Sequence, residues 1–429
     1  MRIMILGVSG LIGSAICARL VMDGHHVLGI SRRRFNPGLM PIKHVSIDIA
    51  RAKCSEDWLS LLSNIDVVVN CAGALQDAPG ESLSGVHTTG LAALFSACVR
   101  SGVRRVVHLS AVGVDERHPT QFSRTKLEGD EALMRSGLDW VILRPSVVIG
   151  RSAYGGSALL RGLAGLPVLP VVPNTSPIRI VHLDDLVETV RFFIDPDAPS
   201  HVVIDVAGPR SWQVVEVIRI LRRWLRYPAA VEFVLPKFIV AMVYCLGDTF
   251  GILGWRPAVR STARVELSHG VSGDPREWQR LTGFTPRDFE QSLTGEPASI
   301  QERWFARIYL LKPLVLAVLS LFWIATGLIS YGPGWDQGLL LLQEAKLPSA
   351  IAAQLIASAA LADLVLGLSF IYRPTSRFGL RVALVVTIVY IVIATIFVPR
   401  LWFDPLGPLL KVAPIFVLNL VALAVFDDR

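Results

Sequence analysis

Cysteine, histidine and charge are all scarce in this chain of 429 residues, and each shortage narrows what it can be. The five cysteines, Cys17, Cys54, Cys71, Cys98 and Cys245, form no Cys-x-x-Cys pair. That spacing gives neither a zinc ribbon nor a disulfide framework and suits reduced thiols. No histidine or cysteine follows His269, which removes haem and soft-metal ligation from the last third, and no metal site is expected elsewhere. Charged residues make up 18% of the chain against 52% hydrophobic ones, with a mean hydropathy of +0.50. No secretory leader is expected at the start of the chain, because its apolar run of five or six residues stops at Gly7.

The apolar excess lies after about residue 308. Leu310 to Ser330, Ile351 to Tyr372, Leu380 to Val398 and Pro405 to Phe426 are each roughly twenty residues long and nearly uncharged, enough for four transmembrane helices. Arg303, Arg307 and Lys312 precede the first, and Arg373, Arg377 and Arg381 fill the expected loop between the second and third. The positive-inside rule then predicts a multi-pass protein of the inner (cell) membrane with both termini cytoplasmic. The same arginines account for much of the net charge of +7, so the basic balance implies a bilayer partner rather than nucleic acid. Within the spans Gln354, Asp363, Lys411 and Asn419 are polar. An acid there is either a working group or helix-to-helix glue, with Asp363 paired to Lys411 as one form of the latter.

The first half alternates strand-like runs (Met1 to Leu6, Val27 to Ile30, Val45 to Ile47, Val67 to Asn70, Val106 to Leu109, Trp140 to Leu143) with helical patterns, which predicts a doubly wound parallel sheet. Straight after the first run comes Gly7-Val8-Ser9-Gly10-Leu11-Ile12-Gly13. Three glycines spaced three apart allow a tight turn, room for a pyrophosphate and close packing of the next helix, so this spacing reads as a dinucleotide site. The following helix, Leu11 to Met22, would aim its positive end at the phosphates. At the end of the second strand an NAD-preferring site carries an acid, whereas here stand Ser31-Arg32-Arg33-Arg34. Guanidinium forks suit the 2′-phosphate of NADP(H); a solvated basic turn is the alternative.

In order along the chain, the Gly7-Gly10-Gly13 turn, Asp48-Ile49, Asn70-Cys71-Ala72-Gly73, His108-Leu109-Ser110-Ala111, Arg124-Thr125-Lys126-Leu127-Glu128-Gly129 and Leu143-Arg144-Pro145-Ser146-Val147-Val148-Ile149-Gly150 resemble an atypical short-chain dehydrogenase/reductase. The branch it resembles is the one related to the nucleotide-binding accessory subunit of respiratory complex I. Ile180 to Leu186 and Asp205 to Pro209 extend the likeness over most of residues 1–295. The tail resembles a DoxX-like membrane domain. The resemblance implies a Rossmann fold in which Gly7, Ser9, Gly10, Leu11, Ile12 and Gly13 line the pyrophosphate, and Ser31, Arg32 and Arg33 meet the 2′-phosphate. It further implies Asp48 and Ile49 at the adenine, Cys71, Ala72 and Gly73 at the adenine ribose, Pro145 and Val148 at the nicotinamide, Lys126 at its ribose, and Ser110 at a substrate carbonyl.

One position departs from that pattern. Four residues before the lysine the family carries a tyrosine whose phenol, acidified by the ammonium, exchanges the proton; here stands Phe122. Tyr154 and His118 are the nearby candidates for a replacement acid. His87, His108 and His182 read as structural, and Asp184 and Asp185 after His182 as the entry to a helix.

The sequence therefore predicts an NAD(P)-binding domain over residues 1–150, a small substrate subdomain over 151–300 and an all-α four-helix transmembrane domain over 301–429. The apolar stretch 237–255 reads as an interfacial helix or as a cap on the substrate pocket. Two functions stay open: an NADP(H)-dependent oxidoreductase acting on a hydrophobic substrate, and a non-catalytic nucleotide holder or sensor in a membrane protein complex, which Phe122 favours. Work done by the spans themselves is a third.

Overall fold

The computed structural model describes residues 1–34, 36–115, 120–405 and 407–426. Contacts divide the chain into two units, residues 1–249 with 257–306, and residues 250–256 with 307–429.

The first unit is built on a parallel sheet. Its strands β1 (Arg2–Leu6), β2 (His26–Ser31), β3 (Lys43–Ser46), β4 (Val67–Asn70), β5 (Arg105–Leu109) and β6 (Asp139–Pro145) are joined by a seventh, Val202–Val206. The order across the sheet is β3-β2-β1-β4-β5-β6-Val202–Val206, and every neighbouring pair runs parallel. Parallel strands covered on both faces need apolar side chains in both directions. Thus Ile3 and Ile5 of β1 join the core that includes the helix α1 (Leu11–Met22), while Met4 and Leu6 point to the opposite core. The second core is closed by α2 (Glu56–Leu62) and α3 (Gly90–Ser101), with Trp58 and Phe95 fully buried. The chain crosses from the β3 edge to the far side of β1 to lay down β4, so the strand order reverses between β1 and β4. Ligands of such sheets sit beyond the strand ends at that switch.

The sheet does not end near residue 150. Val202–Val206 pairs with β6 from Val202 beside Val141 to Val206 beside Pro145, and the helix Leu183–Phe193 packs in the same core as α1. The remainder of residues 151–300 forms a smaller layer. Val147–Ile149 pairs with Ile178–His182, Val168–Val171 pairs with Val231–Val234, and the helices Gly155–Ala164 and Val214–Trp224 cover them.

The second unit is helical. Ile300–Tyr331, Ser349–Ile371 and Arg373–Phe397 are long and apolar enough to cross a membrane. The expected fourth span is altered: Pro399–Trp402 is a short 3₁₀ turn, and the helix begins only at Val412 and ends at Val425. Pro405, Gly407 and Pro408 break the run before it. At 1.5 Å per residue its 14 residues reach about 21 Å, short of a hydrocarbon core of about 30 Å. Arg373, Arg377 and Arg381 lie not in a loop but in the first turns of the third long helix, which starts directly after Tyr372. Asp363 accepts a hydrogen bond from the Tyr390 hydroxyl at 3.0 Å, and Lys411 stands at the N-cap of the last helix.

Candidate nucleotide site

The turn after β1 shows why glycine stands where it does. Gly7 has φ +76°, and its N–H donates to the Ile30 carbonyl at 2.9 Å. A Cβ on Gly7 would lie 2.9 Å from the backbone of Cys71 and Ala72, and one on Gly13 would lie 2.2 Å from the Gly7 oxygen. The first glycine thus lets the turn nest against the loop after β4, and the third lets α1 start hard against that turn. Gly10 is the N-cap of α1, with extended backbone and no side-chain cap. The first helical N–H groups are left without a side-chain acceptor at the positive end of the helix, a ready anion cradle. This geometry fits a dinucleotide pyrophosphate over Gly7, Ser9, Gly10, Leu11, Ile12 and Gly13.

At the end of β2 Arg32 is already engaged. Arg32 donates to Glu81 at 2.6 Å and to the Gly80 carbonyl at 3.1 Å. The Ser31 hydroxyl is buried, donates to the Arg33 carbonyl at 2.8 Å and lies 2.8 Å from His44 Nε2. A 2′-phosphate would have to share Arg32 with Glu81. Asp48 accepts from the Ala50 N–H at 3.1 Å and lies 3.6 Å from Arg51, while Ile49 is buried.

Beyond β4 and β5 the structure gathers a buried polar cluster that sequence reasoning only partly named. Helix α4 (Gln121–Met134) turns Ser123, Lys126, Asp130 and Leu133 inward, the i, i+3, i+4 spacing of one helical face. Lys126 Nζ donates to the Leu109 carbonyl at 2.8 Å, and a Cβ on Gly73 would lie 3.6 Å from it. Burial pushes its pKa down to about 8, since low dielectric disfavours the ammonium. Asp130, fully buried, accepts from the Ser110 hydroxyl at 2.9 Å and from Arg144 at 2.9 Å, and its other oxygen lies 3.3 Å from His108 Nε2. Burial acts to raise its pKa, but the contacts with His108 and Arg144 outweigh that and hold it below the ordinary value. His108 in turn meets Asn70 at 2.8 Å, and Asn70 accepts from the Ala72 N–H at 3.1 Å.

Phe122 occupies the turn of α4 before Lys126 and sets its ring edge-on to His87, centroids 5.8 Å apart. His87 Nε2 accepts from the Ala74 N–H at 3.1 Å, so its proton is on Nδ1 and donates to Thr125 Oγ1 at 3.0 Å. Burial drives the imidazole pKa down to about 2; His87 is a neutral strut between the β4 loop and α4. Cys71, at the start of the β4 loop, is a thiol pushed up to about 12 by burial. Pro145 ends β6, and Val148 lies in the short strand beyond. Tyr154 is half exposed at the N-cap of the Gly155–Ala164 helix, and His118 falls outside the described residues. His182 caps the Leu183–Phe193 helix, accepting from the Asp184 N–H at 3.3 Å. With Asp184 and Glu296 it makes a three-ligand cluster, but Arg287 lies 3.2 Å from Asp184 and 3.4 Å from His182 Nδ1. A guanidinium already serves as the cation there. The signal for Asp130 was available in the sequence: it lies one helical turn after Lys126.

Comparison with known proteins follows the two units. Residues 3–205 match the NAD dependent epimerase/dehydratase family, and residues 320–420 match the DoxX-like family. An uncharacterized protein of Mycobacterium bovis is 29% identical over 185 residues, which are 43% of this chain and 19% of that protein. The 40 kDa subunit of the mitochondrial NADH-ubiquinone oxidoreductase of Neurospora crassa is 22% identical over 227 residues, 51% of this chain and 59% of the subunit. The chain thus spans only a fraction of these relatives' lengths. The Bordetella bronchiseptica enzyme WbmG, solved with NAD, superposes with a TM-score of 0.53 at 19% identity, over 69% of this chain and 92% of WbmG. That likeness shows a shared fold. Residues 3–205 are therefore an epimerase/dehydratase-like, NAD-dependent type of domain on a Rossmann sheet, and residues 320–420 are a DoxX-like domain.

Proposed function

We propose that this chain is a membrane-anchored oxidoreductase that holds NADP(H) in preference to NAD(H) and acts on a hydrophobic, membrane-resident substrate. The observation that carries the reading is the Gly7–Gly13 cradle opening beside the buried Lys126. The amides of residues 7–13 hold the pyrophosphate, Arg32 and Arg33 the 2′-phosphate, Asp48 and Ile49 the adenine side, and Cys71, Ala72 and Gly73 the ribose next to it. Lys126 meets the second ribose, and Pro145 and Val148 flank the nicotinamide. A bound nicotinamide nucleotide would supply or accept hydride. Because Phe122 has no proton to exchange, Lys126 takes that part, its pKa of about 8 lying near the working pH. Ser110, whose hydroxyl now donates to Asp130, would turn that proton toward a substrate carbonyl to orient it. The protein sits in the inner membrane with its nucleotide-binding unit cytoplasmic.

The test uses purified protein in detergent, reading cofactor fluorescence while NADPH and NADH are titrated, followed by oxidation on adding membrane lipid extract. Lipid-dependent NADPH oxidation, raised at least tenfold by Phe122→Tyr, supports the enzyme. Tight binding with no oxidation in either protein supports the non-catalytic holder suggested by Phe122, and no binding of either nucleotide ends both.

A further inference from the structure

The helix Lys237–Ile252 leaves most of its apolar side chains exposed. Val240, which is buried, turns toward the first unit together with Gly247 and Asp248. A Cβ on Gly247 would lie 1.7 Å from the Val259 carbonyl, so helix backbone touches loop backbone there. Asp248 accepts from Gln76 at 3.2 Å and from the Ser261 N–H at 3.2 Å. The outward face is apolar at every fourth position: Phe238 is 72% exposed, Met242 53%, Leu246 49% and Phe250 44%. Left in water, four such side chains in one stripe would forfeit the free energy that burial of apolar surface supplies.

Residues 250–256 fix the occupant of that face. They belong to the helical unit. There the Arg373 N–H donates to the Leu253 carbonyl at 3.1 Å, and the Trp255 indole donates to the Ile371 carbonyl at 2.7 Å. Ile371 and Arg373 stand where two membrane-long helices meet and the chain reverses, which is the level of a bilayer surface. One end of a 16-residue helix is thus tied at the interface, with Trp255 and Arg256 there and Lys237 at its other end, the anchor chemistry of an interfacial helix. We propose that Lys237–Ile252 lies in the plane of the bilayer with Phe238, Met242, Leu246 and Phe250 sunk among the lipid chains. Its inward face is joined to the loop after β4. Asp248 grips Gln76, three residues beyond Gly73, and the Arg260 guanidinium donates to the Asp77 carbonyl at 3.2 Å. The inference rests on the membrane reading of the helical unit and not on cofactor binding or turnover.

Cys245 is exposed on this helix, and Cys54 is exposed in the first unit. In full-length protein reconstituted into phosphatidylcholine/phosphatidylglycerol nanodiscs, a nitroxide is placed at Cys245 in a Cys54→Ser background. A second sample carries it at Cys54 in Cys245→Ser, and a third at Val385→Cys, with both exposed cysteines replaced, in a long apolar helix. Power saturation compares collisions with oxygen and with a water-soluble nickel chelate. Expected is an oxygen-to-nickel ratio at Cys245 several times that at Cys54 and below that at position 385. A Cys245 ratio equal to that of Cys54, or exclusion of both reagents as in a protein contact, overturns the inference while position 385 still reads lipid. A water-like ratio at position 385 instead overturns the membrane reading beneath it.

Discussion

Asp130 holds together three side chains from two neighbouring strands: His108 on β5, Ser110 just after it and Arg144 on β6. Removing one partner of a buried ionic cluster leaves uncompensated charge, so Asp130→Ala should cost about 3–5 kcal/mol, read as a lowered unfolding temperature in detergent. Asp130→Asn, which keeps the volume and one acceptor oxygen, should cost less. Lys126 gives a pH signature. Its folded pKa of about 8 lies below the unfolded 10.5, so above pH 8 the unfolded chain binds more protons and the native state gains stability as pH rises. The wild type should gain about 1 kcal/mol relative to Lys126→Met between pH 8 and 9. Comparing the two proteins removes the opposing effect of Cys17, Cys71 and Cys98, whose raised pKa values favour the folded state less as pH climbs. Unchanged stability differences across that window would show that the ammonium is not buried as described. At the β2 end, Glu81→Gln should free Arg32 and tighten NADPH several-fold with little change in NADH, and equal effects on both nucleotides would argue against a 2′-phosphate at Arg32. The Arg32–Glu81 pair spans 49 residues, and no local pattern announces it. The glycine spacing, by contrast, was readable because Gly13 answers a clash within a few residues of itself.

At the scale of elements, strands and long helices were readable where burial is uniform. The runs at Met1 to Leu6 and Val67 to Asn70 are apolar on both faces because the sheet is covered on both. Val202–Val206, with Asp205 inside it, lies some sixty residues after β6 and joins the sheet through pairing that only the tertiary fold reveals. The fourth apolar run misled for a related reason: hydropathy averages over Pro405, Gly407 and Pro408, whereas backbone geometry does not. The start of α1 is the sharpest test of element packing. Gly13→Ala places a methyl 2.2 Å from the Gly7 oxygen, where only backbone can yield. It should push α1 off the turn and lose nucleotide-dependent fluorescence by at least tenfold in affinity. Ala at Gly24, whose Cβ would meet nothing within 4 Å but whose φ is +81°, should instead cost only about 1 kcal/mol of stability and leave binding intact.

Across the whole molecule the helical unit decides where the two termini stand. The chain enters it along Ile300–Tyr331, passing Lys312, and its far end is marked by Arg400 with Glu344 at 2.9 Å and Asp404 at 2.7 Å. The short last helix does not stop halfway in that unit. Asn419 donates to the Leu380 carbonyl at 3.3 Å, and Phe426 packs against Trp255 and under the Lys312 ammonium, 5.8 Å from its ring centroid. Phe426 therefore returns to the Lys312 level. The 3₁₀ turn at Pro399–Trp402 and the bend at Gly407, whose φ is +52° and whose neighbour Pro408 cannot continue a helix, make up the length that the helix lacks. The basic residues Lys312, Arg373, Arg377 and Arg381 lie toward the entry end, the end that the orientation proposed above puts in the cytoplasm. A fluorescent-protein fusion at either terminus should therefore be bright and an alkaline phosphatase fusion at either inactive, whereas phosphatase inserted between Tyr331 and Trp335 should be active. Opposite readings at the two termini would mean that the last helix fails to bring the chain back, and the Phe426 contacts with Trp255 and Lys312 would have to be abandoned with it.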